Sequence, residues 1–305
     1  MQNRMEFAFY AGFTEMCRRD GIEKTVAYAA KQGFSAVEPL ETTSGQTQTV
    51  RNLREAEELR RILADHGMSV ACYSVGTNIY RSTAAVDDLC RQLEIASAMG
   101  SPFLHHTIAS GLNAVSPIPG AGFDDMLPEL VESACRVAET AKSYGIRCIY
   151  EDQGFYVNGV RNFGKFYHAV RGNCPTVGVC GDLGNISFVD ETAVDFYNAF
   201  APYIVHVHCK DYKIYDAEKH GCYRTAQGRY LENTLPGTGC VEYHACFRLL
   251  TEHGYTGKYA LELEGFTAND AVLTESNHAA MEYCKKVWEE VRKQGNTHCQ
   301  KKRVP

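Results

Sequence analysis

Eight short apolar runs, each followed by an amphipathic helical pattern, restrict the architectures open to this chain more than any other feature. The runs fall at about 5–10, 34–38, 69–74, 102–106, 146–151, 177–182, 203–208 and 258–263, bounded by turn residues. Between them, IEKTVAYAAKQG, LREAEELRRILADHG, AVDDLCRQLEIASAMG and ELVESACRVAETAKSYG carry apolar residues at i, i+3 and i+4 and meet a Gly near the stop. Strands that alternate with helices run parallel, since a parallel pair needs a long crossover. Eight such units in 305 residues fit a closed barrel better than an open sheet. The predicted class is therefore α/β, a single (β/α)8 TIM barrel over residues 1–294. A last helix near SNHAAMEYCKKVWEEVRKQ would close it, leaving residues 295–305 as a flexible C-terminal tail.

The composition excludes several classes of function. No apolar stretch approaches the roughly 20 residues that span a bilayer, so no membrane segment is expected. A net charge of −6 opposes binding to a phosphate backbone, and the basic run Lys301-Lys302-Arg303 reads as a solvated terminus, so no nucleic-acid partner is expected. Thirteen cysteines in a large chain, several inside apolar patterns and none in a CxxC pair, read as reduced packing thiols. The first residues lack a leader-like apolar stretch, and the expected setting is cytoplasmic.

Four strand ends carry metal-ligating groups: Glu151 in IRCIYED, Asp182 in VGVCGDLGN, His208 in YIVHVHCKD and Glu262 in KYALELEG. A closed parallel barrel brings all four to one rim, where three carboxylates and an imidazole would hold a divalent metal. Converging buried carboxylates also need a cation to offset their desolvation. Period two puts Asp182 on the side of Cys180 and Gly178, and His208 on the side of His206, a layer deeper. Glu264 shares the side of Glu262 and is the alternative ligand, with Glu262 preferred. His105 and His106 have opposite parity, so only one faces the pocket, and parity leaves open which. Glu38, before Pro39, reads either as a hydroxyl acceptor or as a helix-cap partner.

The longest connection, Tyr212 to about Gly239, carries Arg224 and is expected as a lid on the rim. Phe9, Tyr10, Phe13, Tyr73, Tyr80, Phe155, Tyr156 and Phe266 fall at or after strand ends, where stacking on a ring-shaped substrate is expected. Asn185, His106, Glu38, Tyr10 and Arg224 form the candidate substrate-binding set. No Gly-rich phosphate loop is present, which favours an unphosphorylated substrate.

GFSAVEP, IYED, GVCGDLGN, HVHCKD, PGTGCVEY and LELEG, in this order and over essentially the whole chain, resemble the xylose isomerase-like TIM-barrel superfamily. That superfamily contains sugar phosphate isomerases and epimerases, ketose 3-epimerases and inosose dehydratases. The resemblance implies a divalent cation, typically Mn2+, with Mg2+ or Co2+ as alternatives, held by Glu151, Asp182, His208 and Glu262. It further implies that Glu151 and Glu262 are catalytic, moving protons on opposite sides of a sugar. Partners would be a small sugar or glycoside and a homo-oligomeric copy or small accessory subunit.

Two positions depart from the pattern. Relatives often carry a histidine where this chain has Asn185, which cannot act as an acid or base near neutral pH. The epimerases' arginine, six residues after the metal histidine, is Ile214 here. The expected function is a metal-dependent sugar or keto-sugar isomerase or epimerase working through α-proton abstraction and an enediolate. The alternative is a lyase of the same fold, such as an inosose dehydratase or the large subunit of a C-glycoside deglycosidase. A sugar-sensing barrel without catalysis and an endonuclease IV-like repair enzyme are weaker readings.

Overall fold

A computed structural model describes residues 4–42, 48–109 and 122–301, with side chains to residue 294. In chain order the first half holds β1 (Phe7–Phe9), α1 (Phe13–Asp20), α2 (Ile22–Lys31), β2 (Ala36–Val37), β3 (Leu40–Thr42), α3 (Leu53–Asp65), β4 (Ser69–Val70), β5 (Tyr73–Gly76), α4 (Thr83–Ala98), β6 (Phe103–His106) and α5 (Phe123–Ser143). The second half holds β7 (Arg147–Tyr150), α6 (Gly159–Asn173), β8 (Gly178–Asp182), α7 (Ala193–Phe200), β9 (Ile204–Cys209), β10 (Asp211–Tyr215), β11 (Tyr223–Arg224), β12 (Tyr230–Thr234), α8 (Tyr243–Glu252), β13 (Tyr259–Leu261) and α9 (Asp270–Lys301). Several helices start where a side chain satisfies a free backbone N–H: Asn52 accepts from Glu55 N at 3.0 Å, and Thr192 from Asp195 N at 3.2 Å.

The strands close into a parallel barrel of eight positions, as the alternation predicts. β13 pairs with both β9 and β1, and β1 pairs with β2. The second and third barrel strands are each split in two, so that β2 pairs with β4 while β3 pairs with β5. The second is interrupted at Pro39, which has no N–H to donate; its carbonyl instead accepts from Ser74 N at 3.0 Å. From β5 the ladder continues through β6, β7 and β8 to β9, completing the circle.

The main core lies between this barrel and the helices, where Phe9, Phe13, Phe34, Tyr150, Phe163 and Phe196 are among the fully enclosed rings. Two small clusters fill the barrel itself: Ala8, Ala36, Ala71 and Ala260, and then Cys72, Ile149 and Cys180. These small side chains leave the rest of the interior to polar residues, which is where the candidate site is built.

Two boundaries differ from expectation. α9 continues to Lys301, through Gly295 where the flexible tail is expected to begin, so helical structure does not end at residue 294. Gly weakens a helix interior by only about 1 kcal/mol relative to Ala, which neighbouring turns can absorb; residues 302–305 lie outside the described residues. The connection 212–239 is not an irregular loop. It forms a three-stranded antiparallel sheet in the order β10-β12-β11, anchored by buried Tyr212 and Leu231. Asp211 accepts backbone N–H bonds from Tyr212, Gly237, Gly239 and Val241 at 2.9 to 3.1 Å, and Asp190 accepts from Thr225, Gln227 and Arg229. Among the described residues no helix is long and apolar enough to cross a membrane.

Candidate metal centre

Glu151, Asp182, His208 and Glu262 converge at the C-terminal rim of the barrel. One ligand atom from each lies within 4.8 Å of every other, and all four residues are buried. Register brings this about: Asp182 pairs with His208 across β8 and β9, and the Glu262 N–H continues the ladder onto Cys209 O at 3.1 Å. His208 Nδ1 sits 3.1 Å from Glu151 Oε1, 3.1 Å from Glu262 Oε2 and 3.9 Å from Asp182 Oδ2. Glu262 rather than Glu264 joins the group; Glu264 is exposed and lies beside Glu262 on a pocket of about 200 Å³.

The donor set fits a divalent cation. Asp182 Oδ2 is buried without a hydrogen-bond partner among the described residues, and Glu262 Oε2 has only the His208 ring, 3.1 Å away and off hydrogen-bond geometry, although a sequestered carboxylate oxygen ordinarily finds a donor. Asp182 Oδ1, by contrast, is held by the backbone N–H groups of Gly184 at 2.7 Å and Asn185 at 2.5 Å, which leaves Oδ2 turned to the centre. Three oxygen donors and one imidazole suit a hard or borderline metal.

Without a cation, the carboxylates are charged to different degrees. Burial would raise Glu151, but His105 and His208 overcome it and hold Glu151 well below the usual carboxylate range. Glu262 is pulled down to about 2, as Lys210 and His208 outweigh burial. Asp182 is raised by burial against the opposing pull of Lys210, with Glu262 and Glu151 adding repulsion. Crowding of like charge in a dry site is what a divalent cation would relieve.

Beneath the rim is a second polar layer. Glu38, fully buried, accepts from His206 Nε2 at 2.7 Å, His208 Nε2 at 3.0 Å and Ser74 Oγ at 2.6 Å. Both its oxygens are therefore engaged inside the barrel, which corrects the expectation of a hydroxyl acceptor or a helix-cap partner. His206 has the deeper hydrogen-bonded position expected of it.

His105, not His106, faces the interior. His105 Nδ1 is 3.0 Å from Ser74 Oγ, and its Nε2 is 3.3 Å from Glu151 Oε2. His106 points the other way, edge-on to Tyr150 at 5.3 Å, and donates through Nδ1 to Thr107 O at 3.1 Å. Burial lowers its pKa to about 4, so it is a neutral packing residue and is removed from the substrate-binding set.

The remaining candidates divide. Tyr10 lies over His208 with ring centroids 4.9 Å apart and lines the 200 Å³ pocket with Glu262 and Glu264. Asn185 is buried beside the centre, with Oδ1 3.2 Å from Lys210 Nζ and Nδ2 without a partner among the described residues. Arg224 is exposed on β11 opposite Tyr230 and stands outside the four-residue group. Of the candidate aromatics, Phe9, Phe13, Tyr73 and Tyr80 are buried in the core between barrel and helices: parity points Phe9 and Tyr73 outward from their strands, and Phe13 starts α1.

Lys210 is the residue that sequence reasoning missed. It is buried, and its Nζ lies 2.5 Å from Glu262 Oε1. Burial would depress it, yet Glu262 holds its pKa well above the ordinary lysine value. A Cβ at Gly184 would meet Lys210 Cγ at 2.8 Å and Tyr212 Cε2 at 2.9 Å, so the glycine makes room for the lysine stem. The signal was present in the sequence: Lys210 continues the period-two series His206, His208 that points into the barrel.

Comparison with known proteins agrees with this architecture. The model of the family described as xylose isomerase-like TIM barrel matches residues 26–284. An inosose dehydratase of Bacillus licheniformis is 27% identical over 147 residues, 46% of this chain and 48% of the relative, so the match spans about half that enzyme's length. A D-psicose 3-epimerase from Clostridium cellulolyticum H10, solved with D-tagatose, superposes with a TM-score of 0.71 at 15% identity, over 93% of this chain and 99% of the other. A xylose isomerase-like TIM-barrel protein from Mycobacterium smegmatis, solved in complex with magnesium, gives 0.65 at 19% identity over 88% of each chain. At such identities the two structural likenesses speak for the fold.

Proposed function

The chain belongs to the xylose isomerase-like TIM-barrel family, and on that premise we propose that it is a divalent-metal-dependent isomerase or epimerase of a sugar or keto-sugar. The observation that carries the reading is the meeting of Glu151, Asp182, His208 and Glu262, with Asp182 Oδ2 left without a hydrogen-bond partner among the described residues. These four residues would hold the cation; Mn2+ is the ion expected, with Mg2+ or Co2+ as alternatives. A bound divalent ion would supply Lewis-acid polarisation of adjacent carbonyl and hydroxyl oxygens and offset the negative charge that develops on them.

The chain's own residues supply the proton chemistry. Glu151 and Glu262 both meet His208 at Nδ1 and are held as carboxylates, the form that accepts a proton from the carbon beside a carbonyl. Lys210 and Asn185 place an ammonium and a free amide N–H next to Glu262, where they suit a substrate oxygen. The Tyr10 ring covers His208 and gives the apolar face of a sugar a surface to lie on.

One observation favours a second reading, a lyase. Glu262 Oε1 is already engaged by Lys210, whereas Glu151 meets only the rings of His105 and His208 among the described residues, and an elimination needs one base where an epimerisation needs two. The inosose dehydratase relative and the replacement of a histidine by Asn185 support the same direction. Metal-loaded protein should be incubated in D2O with ketohexoses, an inosose and 3-oxo glycosides. Epimer formation with deuterium at the epimerised carbon supports the leading reading, and loss of water or aglycone without epimerisation supports the lyase. Absence of carbon-proton exchange with every substrate would overturn both.

A further inference from the structure

Glu38 accepts three hydrogen bonds inside the barrel, from Ser74, His206 and His208, and stands outside the four-residue group of Glu151, Asp182, His208 and Glu262. From the hydrogen bonds around it, and resting on the metal-centre reading above, we propose that Glu38 is a positioning residue that sets two of the four ligands at once. It acts on His208 directly and on Glu151 through Ser74 and His105.

The first arm follows from donor and acceptor arithmetic. An ionised carboxylate only accepts hydrogen bonds, so the His208 nitrogen that faces Glu38, Nε2 at 3.0 Å, must carry the proton. The other nitrogen, Nδ1, lies within 3.1 Å of both Glu151 and Glu262 and donates to Glu151; with Nε2 keeping its proton for Glu38, Nδ1 is the nitrogen that would give up its proton and offer a lone pair to a cation. With Gln at position 38, the amide could present either its oxygen or its NH2 to the ring, and the preference for this orientation and tautomer weakens. Glu38 is itself held in place by His206 Nε2 at 2.7 Å on its other oxygen.

The second arm runs sideways. Ser74 Oγ donates to Glu38 Oε1 at 2.6 Å, which spends its only proton and leaves its lone pairs to accept from His105 Nδ1 at 3.0 Å. His105 is thereby turned with Nε2 toward Glu151 Oε2, 3.3 Å away, an ion-pair contact that forms when Nε2 carries a proton as well as Nδ1. Every group in the network is buried, so water does not substitute for a lost partner. Outer partners of metal-bound imidazoles commonly tune affinity in this way, with losses of about 10- to 100-fold on mutation.

The test uses the full chain and Mn2+ alone, titrated by calorimetry, with thermal unfolding of each metal-free variant as the control. Glu38→Gln should weaken Mn2+ binding by about 10- to 100-fold while the metal-free protein still unfolds cooperatively. In Mg2+-loaded protein, where a metal on Nδ1 keeps the proton on Nε2, the 15N and proton resonances of that His208 N–H should move toward those of a weakly hydrogen-bonded group, which a merely space-filling role would not produce. Should Glu38→Gln fail to fold, Ser74→Ala tests the sideways arm alone, with a several-fold weaker affinity expected. Unchanged Mn2+ affinity in a folded Glu38→Gln variant, or in Ser74→Ala if that is the one that folds, overturns the proposal. A wild-type protein that binds neither Mn2+ nor Mg2+ overturns the metal-centre reading beneath it.

Discussion

Lys210 Nζ and Glu262 Oε1 lie 2.5 Å apart, both side chains buried, at adjacent strand ends of the barrel. Breaking such a pair from one side leaves a charge in a dry site with nothing to offset it, and costs about 3–5 kcal/mol. Lys210→Met keeps the stem that packs at Gly184 and removes only the ammonium. Its metal-free form should lose stability of that order in urea unfolding, and part of the loss should be recovered when Mn2+ is added. Equal stability with and without the lysine would show that the pair contributes nothing net.

The charge of Glu151 is sustained against burial by His105 and His208. Glu151→Gln keeps the shape and removes the base. Turnover should fall by about 10²- to 10⁴-fold, the usual worth of a positioned general base, with little change in unfolding midpoint. Activity close to wild type would remove Glu151 from the proton transfer.

Chelation should silence the protein, and Mn2+ or Mg2+ should restore it. Because the folded state alone assembles the four ligands, a cation at one hundred times its dissociation constant should stabilise the fold by about 2.7 kcal/mol. A rise in unfolding midpoint with metal concentration checks this without any substrate. Full activity in a metal-free preparation would defeat the metal reading.

The barrel and the four rim residues were legible because each depends on a local signal: an apolar run, a turn, and a polar residue at the strand end. What escaped depends on tertiary packing. His105 and His106 differ by one residue, and only the pairing of β6 with β5 and β7 decides which of them meets Glu151 and which meets Tyr150. Glu38 looked like a pocket residue because nothing in VEP reveals that His206 and His208 lie across the barrel from it. Phe9 and Phe13 resembled rim aromatics for the same reason, but Phe9 faces outward from β1 and Phe13 opens α1, and both are buried in the core around the barrel. Lys210 is a different kind of miss: its parity was readable, but a lysine one step past a strand is ordinarily a solvated end.

The clearest pH signal lies away from the centre, at Glu41 on β3. Burial pushes its pKa up from 4.5 to about 8, against the backbone N–H groups of Thr49 and Val50, which donate to its Oε1. Its Oε2 is buried with no hydrogen-bond partner among the described residues. The folded value lies above the unfolded one, so the folded protein holds the proton more tightly. The stability this confers is fully present below pH 4.5 and is lost as pH rises through about 8. A tenfold difference in proton affinity between the folded and unfolded chain is worth about 1.4 kcal/mol, so the loss across this window is on the order of a few kcal/mol. Glu41→Gln keeps an oxygen for Thr49 and Val50 but has no proton to lose. Urea unfolding between pH 5 and 8.5 should show wild-type stability falling relative to the variant, and parallel profiles would show that Glu41 does not titrate in this range.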